Sequence, residues 1–204
     1  MSEDIKNILK NKRILMIHQR DWGVKHGFEI SKKLNKLGVK LSSINFKKST
    51  ESFICNQEEI KFENILNETY IEQNFKKIIS KSHYGIKNLK DDFDLSCIWQ
   101  YASTLRRFSL NYKKKFPFSY QQSLSDEDVK DYIIAFAFCI KDLCDKFKPD
   151  LAIGYNIGDI RHLFLEKILS KRKIPFFFDS DTKIQNINAF YYDIKSSKSF
   201  FKHR

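Results

Sequence analysis

Glycine and proline are scarce, six and three residues in a chain of 204, which excludes a collagen-like or low-complexity protein and leaves few places where the backbone turns without help from side chains. Cysteine is scarce too. Cys55, Cys97, Cys139 and Cys144 are scattered, and the closest two stand five positions apart in a helical pattern, facing different directions. No spacing among them fits a zinc site, so all four read as reduced thiols of an intracellular chain. Long apolar runs are missing as well. The run from Ile133 to Ile140 stops far short of the roughly 20 residues that cross a bilayer, and Met1 to Lys12 carries charges where a secretory signal has its apolar core. The expectation is a cytoplasmic domain without disulfides or a transmembrane segment.

What the chain has in quantity is apolar, aromatic and basic residues. Hydrophobic residues make up 42% and aromatics 15%, enough to fill the core of one domain at this length. The formal net charge of +12 draws the chain toward an anion, whether nucleic acid, a phospholipid surface or a phosphorylated substrate. Charge does not choose among these, and the abundance of Lys, Ile, Asn and Phe also fits an A/T-rich coding sequence.

Arg13 to His18, RILMIH, is a compact apolar run of strand length. After the polar loop QRDWG, Lys25 to Leu37 sets Phe28, Ile30, Leu34 and Leu37 along one side and closes at Gly38, the pattern of an amphipathic helix with a C-terminal glycine. Val39 to Phe46 alternates apolar and polar like a strand and completes a β-α-β unit. The middle of the chain predicts a short strand at Phe53 to Cys55, a helix from Glu63 to Ser80, a turn at Gly85, and a strand at Leu95 to Trp99 after the acidic turn DDFD. A long helix from Asp126 to Phe147 opens at Ser125, with Asp128 three positions on, a variant of the capping box. The last third repeats the β-α-β pattern: LAIGY, a helix from Asp159 to Arg172, then PFFFD from Pro175. The fold class predicted is α/β, a doubly wound, mostly parallel Rossmann-like sheet, in a single domain over residues 1–204 with an insertion around 95–125.

In open parallel sheets ligands gather beyond the carboxyl ends of the strands. Three such ends are rich in polar groups: His18 to Gly27, Tyr155 to His162, and Asp179 to Lys183. None carries G-x-G-x-x-G or a Walker lysine pattern, which disfavours ordinary dinucleotide or nucleoside triphosphate binding. His18, His26 and Asp181 are the candidate catalytic groups, imidazole and carboxylate being the side chains that move protons near neutral pH. Each also has a plain role: His18 in bonding its loop, His26 as a solvated group, Asp181 in a turn or cap. Arg20, Asp21, Trp22 and Gly23, with Asn156, Gly158 and Arg161, are candidate substrate contacts. Arg161, at a helix start, suits either a phosphate or a surface ion pair.

Two stretches, RILMIHQRDWGVKHGFEISKKLNKLGVKL and FKPDLAIGYNIGDIRHLFLEKILSKRKIPFFFDSD, resemble the N-terminal domain of GT-B glycosyltransferases of the kind that build polysaccharides or capsules. The first follows that family's strand, Gly-containing loop, helix, LG and strand; the second follows its KPD, strand, helix, IP and strand ending in an acidic residue. The loop histidine that some members use as base aligns on Gly23, with His26 three residues later. The resemblance implies an acceptor-side domain facing a saccharide or lipid-linked acceptor, with no metal and no cofactor of its own. The nucleotide-sugar donor then belongs to a C-terminal domain, in cis or in trans. It implies a hexosyltransferase as the whole enzyme, with this chain as its N-terminal half and inactive alone.

Between Leu95 and Ser125 the composition shifts. Arg106, Arg107, Lys113, Lys114 and Lys115 stand without any acidic residue among Trp99, Tyr101, Phe108, Tyr112, Phe116, Phe118 and Tyr120. Such a stretch fits a nucleic-acid strand, an anionic bilayer, the pyrophosphate of a lipid-linked acceptor, or an insertion with inward aromatics and solvated lysines. Beside the family resemblance, the expectation is peripheral attachment at the inner face of the plasma membrane, each cation contributing about 1 kcal/mol. Two other functions stay open. One is a nucleotide-sugar epimerase of the same fold; the other is a noncatalytic nucleic-acid-binding module built on residues 99–120, disfavoured because no recognised nucleic-acid motif occurs.

Overall fold

The computed structural model describes residues 7–95, 98–102, 105, 125–155, 160–181 and 188–191. The chain forms two compact units: Met1–Thr69, Leu143–Asn156 and Leu169–Arg204 make the first, Tyr70–Asp142 and Ile157–Ile168 the second.

The first unit is built on a sheet with the strand order β3-β2-β1-β4-β5-β6. Its strands are β1 (Arg13–Gln19), β2 (Lys40–Phe46), β3 (Phe62–Asn67), β4 (Leu151–Tyr155), β5 (Phe176–Asp181) and β6 (Asn188–Tyr191). The first five run parallel, and β6 pairs antiparallel with β5. The chain winds outward from β1 to β3, returns to lay β4 beside β1, and winds outward the other way. That reversal makes the sheet doubly wound and Rossmann-like, with its topological switch point between β1 and β4. The α/β class expected from the sequence is the one observed.

Local chemistry explains these elements. In β1 every residue from Ile14 to Gln19 is buried, as a central parallel strand requires. Ile14 and Met16 join Trp22, Phe28, Val39, Leu41, Ile54 and Ile60 in one apolar cluster. Three helices follow the strand ends here: α1 (Arg20–Val24), α2 (His26–Lys36) and α3 (Lys48–Asn56). Helix α2 ends where expected, because Gly38 takes φ 77° and its N–H and that of Val39 donate to Asn35 O and Leu34 O. The alternation in β2 does not signal a solvent face. Ser42, Ser43 and Asn45 are fully buried and their polar groups are answered: Ser42 Oγ donates to Asn64 O at 2.9 Å and Asn45 Nδ2 to Asn67 Oδ1 at 2.8 Å.

The middle of the chain departs from expectation. Phe53 to Cys55 lies inside α3 rather than in a strand, because Thr50 and Ile54, four apart, are both buried on one helix face. The helix expected from Glu63 is preceded by β3, and α4 runs Glu68–Ser82; β3 is the sheet edge and its burial alternates, so no continuous apolar run marks it. DDFD does not turn but closes α5 (Ile86–Phe93), with Asp94 at φ 53° as the stop. Leu95 and Ile98 belong to no strand, and Trp99 opens the short helix α6 (Trp99–Ala102). Most of the expected insertion at 95–125 lies outside the described residues.

The second unit is helical and aromatic. It holds most of α4, α7 (Asp126–Phe147) and α8 (Ile160–Lys171), and all of α5 and α6. Helix α7 begins as the sequence predicts: Ser125 Oγ accepts the Asp128 N–H at 3.1 Å. The Lys76 ammonium, 2.7 Å from Asp128, holds that carboxyl below the usual carboxylate range, with help from Ser125. From Tyr132 to Ala137 every residue is buried, so this helix is enclosed around most of its circumference. Edge-to-face pairs fill the unit: Phe75 with Tyr132 and Phe93 with Phe164, at centroid separations of 6.4 and 5.0 Å. Among the described residues no helix is long and apolar enough to cross a membrane.

Candidate functional site

The first unit places a cavity of about 540 Å³ at the carboxyl ends of β1, β2 and β4, which is the switch point where open α/β sheets bind ligands. Gln19, Arg20, Asp21, Trp22, Lys25 and His26 line it from the end of β1; Lys47 and Ser49 do so from β2, and Tyr155 from β4.

Trp22 is the fixed wall. Its indole Nε1 donates to Asp179 Oδ2 at 2.6 Å, with both groups buried, and its ring stacks on Tyr155 at 6.2 Å and 30°. Two glycines make this possible. A Cβ on Gly27 would stand 2.6 Å from the Trp22 ring, and a Cβ on Gly23 would stand 2.9 Å from the His18 carbonyl carbon. Gly23, expected to touch substrate, instead lets α1 lie directly on the end of β1. Gly23→Ala is therefore expected to destabilise the chain by about 2 kcal/mol, because backbone rather than a side-chain tip must yield. An unchanged denaturant midpoint would show that α1 moves off the strand freely.

The cavity is electropositive. Of the side chains that line it, Arg20, Lys25 and Lys47 are cationic and Asp21 alone is a carboxylate. Neither Arg20 nor Lys25 pairs with a carboxylate among the described residues. The backbone is unusual at the same place: Arg20 takes φ 51°, and Lys47 takes φ 72° with ψ 137°, a combination glycine adopts far more readily. The Lys47 N–H donates to Glu68 Oε2 at 3.2 Å.

His18 stands apart from this cavity, fully buried beneath it. Its Nδ1 lies 2.7 Å from Ser43 Oγ, and its Nε2 lies 3.3 Å from Ser31 Oγ. The Ser43 hydroxyl proton is committed to Asn45 Oδ1 and the Ser31 hydroxyl proton to Gly27 O, both at 2.7 Å, so both hydroxyl oxygens meet the ring with lone pairs and the buried neutral ring donates its one proton to one of them. Burial pulls its pKa down to about 4, partly offset by the Gly27 backbone. In this setting His18 ties β1 to β2 and α2. His26, by contrast, is exposed and lines the cavity.

The other expected residues are distributed as follows. Asp181 closes β5, and Arg161 sits in the first turn of α8, in the second unit. Asn156, Gly158, Arg106, Arg107, Lys113, Lys114 and Lys115 lie outside the described residues. The structure thus gathers Arg20, Asp21, Trp22 and His26 with Gln19, Lys25 and Tyr155, which stand in the strand-end stretches picked out from the sequence without being named as contacts, and with Lys47 and Ser49, which lie outside those stretches. The signal for Lys47 and Ser49 was present, since KKS follows β2 directly, but it acquires meaning only once α3 is known to begin there. Among the described residues no group of three or more His, Cys, Asp and Glu is placed to hold a metal ion. Cys144 is buried and its thiol is pushed up to about 11 by desolvation, which leaves it unreactive.

No protein-family model matches the chain, and no curated protein matches it. The site itself therefore carries the functional reading.

Proposed function

We propose that the chain is the acceptor-side domain of a GT-B glycosyltransferase and that the switch-point cavity receives the acceptor. One observation supports this above the rest: the segment from Arg20 to His26, within the first of the two stretches that carry the family resemblance, supplies five of the nine residues that line the cavity. An aromatic wall of Trp22 and Tyr155 beside Asp21, His26 and Gln19 suits a saccharide, with C–H faces on the rings and hydroxyls on the polar groups.

In this reading His26 takes the proton of an acceptor hydroxyl as its oxygen attacks the anomeric carbon of the donor sugar. The bond from that carbon to the donor phosphate oxygen breaks, and the nucleoside diphosphate leaves with the electron pair. Asp21 orients the acceptor. The nucleotide-sugar is held by a second domain, in cis or in trans, and the acceptor is free or lipid-linked at an anionic membrane face.

The test is nucleotide-sugar consumption with a GT-B donor-side domain supplied fused or in trans. Consumption should require an acceptor, and His26→Ala should lower kcat by about 10²-fold or more with little change in KM. Consumption without any acceptor would instead mark an epimerase. Turnover by the 204-residue chain alone would overturn the division of labour.

A further inference from the structure

We propose that the switch-point cavity selects an acidic saccharide, a hexuronic acid residue whose carboxylate is held by the side chains of Arg20 and Lys25. The inference rests on reading this cavity as an acceptor site and adds the charge and class of the acceptor.

Three charged side chains that follow β1, Arg20, Asp21 and Lys25, line the cavity. Asp21 and Lys25 stand four positions apart, the spacing at which residues of a helix pair opposite charges, and Arg20 is next to Asp21. Even so, none of the three forms an ion pair among the described residues. Two cations and an unused carboxylate therefore border the same volume, with one positive charge in excess. Lys47 also lines the cavity but has a further interaction within the fold, which leaves Arg20 and Lys25 as the two cations open to a ligand. Arg20 is held there at φ 51°, a left-handed backbone that Asn or Gly adopts more readily than a long side chain does. A residue that breaks a local rule at the edge of a cavity points to a role for its side chain.

One excess charge matches a monoanion. A carboxylate accepts the guanidinium fork through both of its oxygens, and the Lys25 ammonium adds a point charge beside it. A phosphate monoester is close to a dianion at neutral pH and, together with Asp21, would turn the site negative. The rest of the lining suits a pyranose ring, with Trp22 and Tyr155 for its C–H face and Asp21 and His26 for its hydroxyls. A neutral hexose lacks the anion, and a simple carboxylate such as acetate lacks the ring. A hexuronic acid joins the two through a single carbon–carbon bond.

NMR titration of the full chain tests this, with the methyl glycosides of several hexuronic acids, those of the matching neutral hexoses, acetate, and a hexose 6-phosphate as probes. The best hexuronide should bind at least about tenfold more tightly than its neutral counterpart, than acetate and than the hexose phosphate, and added salt should narrow the margin. Arg20→Asn and Lys25→Gln should each bring that hexuronide down to the affinity of the neutral glycoside. Arg20→Asn should do so with a thermal midpoint no lower than that of the wild type, since Asn accepts φ 51° more readily, and Lys25→Gln changes an exposed side chain and leaves the core untouched. Equal binding of charged and neutral glycosides, a loss shared equally by both in the two variants, preference for the hexose phosphate, or no binding at all would overturn the inference. The transferase reading is judged separately. Hexuronide binding without nucleotide-sugar consumption removes that reading and leaves this inference; transfer that favours neutral saccharides does the reverse.

Discussion

Taking the chain from about pH 7 to about pH 4 is expected to cost the fold about 3 kcal/mol through His18 alone. Desolvation holds this imidazole at about 4 in the folded chain, against 6.5 when it is free of the fold. Between those values the unfolded chain binds a proton that the folded chain refuses. The contribution is therefore complete above the higher value and is lost at about 1.4 kcal/mol per pH unit as the pH falls toward the lower one. A second proton on the ring would set a charge among Ser31, Ser43 and Asn45, all fully buried and none able to neutralise it. Denaturant midpoints of wild type and His18→Asn across this range measure the effect. The Asn side chain keeps an N–H for Ser43 and cannot titrate, so the variant should be less stable at neutral pH yet show a flatter profile. Parallel profiles would mean that acid acts elsewhere.

The sequence was legible where one periodicity or one capping residue spoke alone. RILMIH, LAIGY and FFFD are short apolar runs with clear borders, Gly38 stops α2, and Ser125 starts α7; these elements stand where expected. Legibility failed where local propensity and tertiary burial disagreed. Phe53, Ile54 and Cys55 favour a strand by type, yet the burial of Thr50 and Ile54 on one face makes a helix of them. The error propagated to the site, since without α3 there is no second helix start and no reason to notice Lys47. His18 shows a different limit. At the end of an apolar strand it looks available for chemistry, and only Ser31 and Ser43, brought in by α2 and β2, reveal that it is enclosed. Gly23 is similar: its role is set by the His18 backbone lying against it, a proximity that no spacing in the sequence encodes.

Trp22 is where fold and site meet most directly, and Trp22→Ala is expected to be the most damaging single change in the cavity wall, at about 3–5 kcal/mol. The substitution empties a position in the apolar cluster with Ile14, Met16 and Phe28, removes the stacking partner of Tyr155, and takes away the indole donor of a buried carboxylate, Asp179. Trp22→Phe separates these contributions. It keeps a ring against Tyr155 and the glycine-lined face at Gly27 but deletes the N–H, so it should cost about 1.5–3 kcal/mol, the range for a hydrogen bond to a charged acceptor. Asp179→Asn retains an oxygen to accept that N–H and should cost less than Trp22→Phe. In the double variant the two losses should fall short of their sum, because each removes the same bond. Acceptor affinity divides differently: Trp22→Phe should preserve most of the acceptor binding through its ring, while Trp22→Ala should lose it. Equal destabilisation by Ala and Phe would place the whole effect in the hydrogen bond, and a loss below about 1 kcal/mol for Trp22→Ala would mean that the indole does not hold the cavity wall in place.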